Sequence, residues 1–130
     1  MTVWILGCTG SLRYIAPEVA LCQPYNEKVD MYSYAIILYE IITGNPAFDG
    51  FSRTQFYTEV VYSELRPSLD DDEYGRPITV HPAVAAIIST CWDPVAAKRL
   101  SAESVLKVLY QVESSKGKSQ KSNGFSCIPW

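Results

Sequence analysis

Histidine is nearly absent from this chain of 130 residues: His81 is the only one. The four cysteines, Cys8, Cys22, Cys91 and Cys127, are scattered and form no Cys-x-x-Cys pair, so a His/Cys zinc site has little to draw on. Residues 1–6 lack the basic start and apolar stretch of a secretory signal. Free thiols in a reducing, cytoplasmic compartment are therefore expected rather than disulfides. No long hydrophobic run exists either. Within the most apolar region, Met31 to Ile42, the longest run, Tyr34 to Tyr39, has 6 residues, against the ~20 that a bilayer demands. Charged residues are only 19%, with 11 basic against 14 acidic. Residues 114–130 hold three lysines and no acid, so residues 1–113 have eight basic against fourteen acidic residues, a net of −6. An acidic body argues against a nucleic-acid partner.

What is present is hydrophobic: 48% of residues, enough for one packed domain and too short a chain for two. Pro17 can open a short helix through Leu21, and Gln23-Pro24-Tyr25-Asn26 reads as a turn. A helix follows from about Glu27 to Thr43, stopped by Gly44. Its apolar residues cover nearly every direction at 100° per residue, the pattern of a buried central helix. Met31, Ile36, Ile37, Leu38, Ile41 and Ile42 would contribute roughly 10–18 kcal/mol if fully buried. A second helix is expected from a capping box at Ser52-x-x-Gln55 to about Leu65, and a third from Pro82 to Trp92. A fourth starts at Ser101 and buries Val105, Leu106, Val108 and Leu109. From Ser114 the chain is polar and low in complexity, which predicts a disordered basic tail over 114–130.

Several candidate sites give way to plainer readings. Asp70-Asp71-Asp72-Glu73 lacks the ligand spacing of a calcium loop and reads as a solvated turn. Gly117-Lys118-Ser119 would need a glycine at Val112 to be a phosphate loop. His81 precedes Pro82 with no nucleophile in register, which suits a helix cap better than general-base catalysis. No metal ligand set, catalytic group or cofactor site emerges.

One constellation is specific. Thr9-Gly10-Ser11-Leu12-Arg13-Tyr14-Ile15-Ala16-Pro17-Glu18 resembles the end of a protein kinase activation segment, which closes in Ala-Pro-Glu. Val29-Asp30-Met31-Tyr32-Ser33-Tyr34-Ala35-Ile36 looks like the Asp-x-Trp-Ser-Phe-Gly start of the kinase F helix, with Tyr32, Tyr34 and Ala35 as departures. Glu40-Ile41-Ile42-Thr43-Gly44-Asn45-Pro46-Ala47-Phe48 is similar to the segment closing that helix. Cys91-Trp92, with Arg99 seven residues after the tryptophan, looks like the Cys-Trp…Arg signature of the tyrosine-kinase-like, Raf-like group, although Leu100 replaces the usual proline. The resemblance covers about residues 7–112. It implies a mainly α-helical, partial kinase large lobe over residues 7–113, running from the EF helix to helix I around a buried central helix. Residues 1–6 are poorly matched.

The resemblance also implies roles. Gly10, Ser11, Leu12 and Tyr14 would shape the pocket beside the phosphoacceptor, with Ser11 at the position typical of Ser/Thr-directed kinases. Ala16, Pro17 and Glu18 would close the segment, Glu18 forming a buried ion pair with Arg99. Asp30 would hold the backbone of the catalytic loop, and Trp92 would be structural. The motifs of phosphoryl transfer are not in this sequence: no Gly-x-Gly-x-x-Gly, no His-Arg-Asp, and Phe48-Asp49-Gly50-Phe51 in place of Asp-Phe-Gly. The expectation is a kinase-domain fragment, inactive alone, with ATP and magnesium needed only by a complete domain. Its partners would be a protein substrate or a partner kinase. A non-catalytic remnant that binds partners, or an unstable fragment, are the alternatives. Cys127-Ile128-Pro129-Trp130 has the spacing of a prenylation box, but Pro129 and the terminal Trp130 depart from it, and a cysteine in a frayed tail is the better reading.

Overall fold

A computed structural model describes residues 11–119. Gly10, the poorly matched residues 1–6 and Cys127 lie outside the described residues. Five helices carry the fold: α1 (Pro17–Ala20), α2 (Lys28–Thr43), α3 (Arg53–Gln55), α4 (Pro82–Cys91) and α5 (Ala102–Ser119). No strand forms among the described residues, and an isolated bridge joins Asp71 to Pro77. The fold is mainly helical.

Local chemistry sets the helix ends. Gly44 adopts φ 70°, and its N–H donates to Glu40 O at 2.9 Å, closing α2 in the left-handed conformation that glycine tolerates best. The Ser52 hydroxyl accepts from Gln55 N at 3.2 Å while Gln55 Oε1 accepts from Ser52 N at 3.0 Å, a complete capping box. The helix it opens changes character after Gln55. Phe56–Tyr62 winds as a π-helix, so this segment is not the regular helix to Leu65 expected from sequence. The wider turn brings Phe56, Val60 and Val61 onto one buried face, where Ala20 completes a small cluster. His81 caps α4, its Nδ1 accepting from Ala83 N at 3.2 Å, and Ser101 caps α5 by accepting from Ser104 N at 3.1 Å.

The main core lies between α2 and α4, with α5 packed against α4. Met31, Tyr32, Ala35, Ile36 and Tyr39 of α2 meet Ile87, Ile88, Cys91 and Trp92, and Val105 of α5 joins them. Two expectations are corrected here. Of the six large aliphatics of α2, Met31 and Ile36 are buried, Leu38 and Ile42 are half-buried, and Ile37 and Ile41 are 45% and 73% exposed. An all-round apolar helix does not announce which side finds a partner, and here only one side does. On α5, Val105 is buried and Val108 and Leu109 pack partly, but Leu106 is 51% exposed. The helix also runs on through Ser119, so the expected disordered tail does not begin at Ser114. Hydroxyls that might have competed with the backbone bond back into it: Ser114 Oγ donates to Tyr110 O and Ser115 Oγ to Gln111 O, both at 2.8 Å.

Candidate functional site

The residues singled out by sequence converge on the N-terminal end of α2. Ser11 leads into a single 3-10 turn, Leu12–Tyr14, which ends at Ile15. Ala16 then enters α1, with Pro17 at its first position, where a missing N–H costs nothing. The Ser33 hydroxyl of α2 donates to Tyr14 O at 2.7 Å and fixes this turn to the central helix.

Glu18 and Arg99, 81 residues apart, meet in a bidentate pair: Arg99 Nη1 to Glu18 Oε1 at 2.6 Å and Nη2 to Oε2 at 2.9 Å. The Arg99 side chain is wholly buried and that of Glu18 is 12% exposed. Arg99 Nε donates to Asp93 O at 2.8 Å and Nη1 also to Lys28 O at 3.1 Å, so the charge is neutralised and its other donors are used. Lys28 Nζ returns a bond to Arg99 O at 2.6 Å. One planar guanidinium thus ties α1, the start of α2 and the loop before α5 into one body, with a geometry that a lysine could not reproduce.

Asp30 is exposed on the first turn of α2. It lines a groove of about 410 Å³ with Ser11, Tyr14, Ile15, Val19 and Ser33. Trp92 is buried, its ring 5.9 Å from that of Tyr39 and its carbonyl accepting from Arg66 Nε at 2.9 Å. Ser11, Tyr14, Ala16 and Asp30 therefore line one groove, Leu12 packs instead against the Phe56 cluster, Glu18 and Arg99 tie the neighbouring segments together, and Trp92 belongs to the core.

Three residues that sequence reasoning passed over hold this site together. Glu40 had figured only as the first residue of the segment closing the helix, with no role assigned. Its Oε2 accepts from the Tyr14 hydroxyl at 2.8 Å and its Oε1 from Ala47 N at 2.8 Å, with Arg13 Nη1 3.4 Å away. Arg13 also reaches Asp49 at 3.6 Å. Tyr32, in the position the family gives to tryptophan, is fully buried between two guanidiniums, Arg66 at 5.1 Å and Arg99 at 5.3 Å from its ring centre. Burial pushes its phenol pKa up and pushes that of Arg66 down. No local spacing signals such contacts; 26 residues separate Tyr14 from Glu40.

The arrangement offers a braced, partly polar groove. Among the described residues, no group of three or more His, Cys, Asp or Glu side chains could hold a metal ion.

Comparison with known proteins gives these residues a context. The family model for the protein kinase domain matches residues 6–111. The serine/threonine-protein kinase STY17 of Arabidopsis thaliana is 32% identical over 104 residues, 80% of this chain and 17% of the relative. The serine/threonine/tyrosine-protein kinase HT1 of the same plant is 34% identical over 103 residues, 79% of this chain and 25% of that protein. The dual specificity protein kinase shkA of Dictyostelium discoideum is 32% identical over 109 residues, 82% and 19% respectively. The matched stretch thus spans a quarter or less of these relatives.

Proposed function

The chain belongs to the protein kinase family, and from that premise we propose that it supplies the substrate-facing part of a kinase large lobe. The complete protein would phosphorylate serine or threonine of protein substrates, and this chain alone would be inactive. One observation carries the reading: α2 is packed from one side, and Ile37 and Ile41 stay 45% and 73% exposed. A helix apolar all round is a core helix, and in the family its remaining cover comes from segments whose motifs are not in this sequence. The groove lined by Asp30 and Ser33 suits the backbone of a catalytic loop, which the resemblance places there.

The resemblance suggests the roles, and the contacts around these residues support them. Ser11, Leu12 and Tyr14 present the surface beside the phosphoacceptor, and Ser33 and Glu40 keep that turn in place through Tyr14. Glu18 and Arg99 hold the segment to the lobe. Phosphoryl transfer relies on positioning and charge stabilisation by a phosphate-cradling loop, a lysine, a base and bound magnesium. The residues of this sequence do not make up that set and do not fit ATP and magnesium. A cytoplasmic location and a protein substrate or partner kinase accompany this reading. Among the described residues no helix is long and apolar enough to cross a membrane.

Incubation of the purified chain with labelled ATP, magnesium and a generic protein substrate tests the inactivity. No incorporation above the buffer control is expected, and turnover that tracks the chain through purification would overturn the reading.

A further inference from the structure

The long loop between the π-helix and α4 carries a tyrosine at its tip. Tyr74 is 73% exposed, and the four residues before it are Asp70, Asp71, Asp72 and Glu73. The backbone turns there: Asp72 Oδ1 accepts from Tyr74 N and from Arg76 N, both at 2.9 Å, and Gly75 takes φ 71°. Arg76 pairs with Asp72 at 2.7 Å and lies 5.2 Å from the centre of the Tyr74 ring. We propose that Tyr74 is a phosphorylation site for a protein tyrosine kinase whose substrate groove is basic and reads acidic residues on the N-terminal side of its target.

Three features favour this tyrosine over others on the surface. Tyr62 and Tyr110 are nearly as exposed, at 68% and 60%, but neither follows an acidic run. Four successive carboxylates give a basic groove its charge complement and raise the encounter rate. Arg76, already over the ring, is a fixed guanidinium within reach of a new phosphate. The bonds of the turn are local, among them Asp72 N to Arg76 O at 2.9 Å and Ile78 N to Asp70 O at 2.8 Å, so an enzyme can open it without disturbing the helices.

The chemistry balances with ATP as co-substrate. The phenolic oxygen bonds to the γ-phosphorus, the bond from that phosphorus to the β–γ bridging oxygen breaks, and ADP leaves. The modifying enzyme's base takes the phenolic proton. The Glu73 carboxylate beside it pushes the Tyr74 phenol pKa above its usual range, so that base is needed.

The test treats the 130-residue chain with a purified tyrosine kinase of acidic preference, ATP and magnesium, and maps phosphotyrosine by mass spectrometry at early times. Tyr74 should be modified at least about tenfold faster than Tyr62 or Tyr110, the ratio that roughly 1.4 kcal/mol of recognition gives. Tyr74→Phe should remove most of the incorporation. Neutralising Asp70, Asp71 and Glu73 together, as Asn, Asn and Gln, should slow Tyr74 by about the same tenfold and leave Tyr62 unchanged. Equal rates at the three tyrosines, or a Tyr74 rate indifferent to the neutralisation, would overturn the proposal. Circular dichroism of each variant shows that the helices are intact.

Discussion

Removing either partner of the Glu18–Arg99 pair should cost more than any surface change in this chain. Arg99 is 2% exposed and makes a bidentate bond at 2.6 and 2.9 Å, with two further backbone acceptors within 3.1 Å. Breaking such a pair strands a buried charge, a loss of about 3–5 kcal/mol. That is a fifth or more of the 5–15 kcal/mol that holds a typical domain of this size. The assay is urea unfolding of Glu18→Gln, Arg99→Met and the double variant, followed by tryptophan fluorescence and far-ultraviolet dichroism. Each single variant should lose several kcal/mol, and the double variant less than their sum by at least about 1 kcal/mol. Arg99→Lys should rescue little, because an ammonium cannot span both carboxylate oxygens and the neighbouring carbonyls. Losses below about 1 kcal/mol, the range of exposed ion pairs, would refute the reasoning. Full rescue by lysine would refute the geometric part of it.

Other consequences are equally open to measurement. The Tyr32 hydroxyl is buried without a protein partner among the described residues, so Tyr32→Phe should stabilise the fold by about 1–3 kcal/mol, keeping the ring between its two guanidiniums; a lower urea midpoint would contradict this. Burial pushes the Cys91 thiol pKa up whereas Cys22 is exposed, so alkylation mapped by mass spectrometry should label Cys22 in the native protein and Cys91 only on unfolding. Comparable native rates at the two would count against the buried placement. The N–H of Arg76, above all, holds the Asp72 carboxyl below the usual carboxylate range. A depressed pKa stabilises the turn above the ordinary aspartate value, and that support fades as pH falls through the lowered one. The amide shifts of Tyr74 and Arg76 should therefore titrate with a midpoint below ~3.9, and a midpoint at or above it would contradict the turn.

Signals carried by a few neighbouring residues were legible in the sequence. The Ser52-x-x-Gln55 box, Gly44 as a stop, and His81 and Ser101 as caps all depend on backbone groups within four residues. The motif residues, from Ser11 to Arg99, were also legible as a set, since their order along the chain carries the family resemblance. Contacts across long stretches were not. The Tyr14–Glu40 bond and the placing of Tyr32 between Arg66 and Arg99 depend on which helix faces meet. For α2, apolar on every side, the pattern could not say that Ile36 would be covered and Ile41 left out. The π-helix at Phe56–Tyr62 keeps ordinary helical composition, and only the tertiary demand to bury Phe56, Val60 and Val61 together sets its pitch. The extension of α5 to Ser119 was hidden by serines, whose preference for turns is overridden when their hydroxyls bond to the preceding helical turn.

The proposed function makes these residues the substrate-facing part of a kinase whose catalytic motifs are encoded elsewhere in the same protein. Sequencing the full-length transcript upstream of the Met1 codon tests it most directly. The account predicts an in-frame extension encoding a glycine-rich loop, a strand lysine, His-Arg-Asp and Asp-Phe-Gly. A transcript that starts here, or an in-frame stop just upstream, would contradict it and leave a non-catalytic binding remnant.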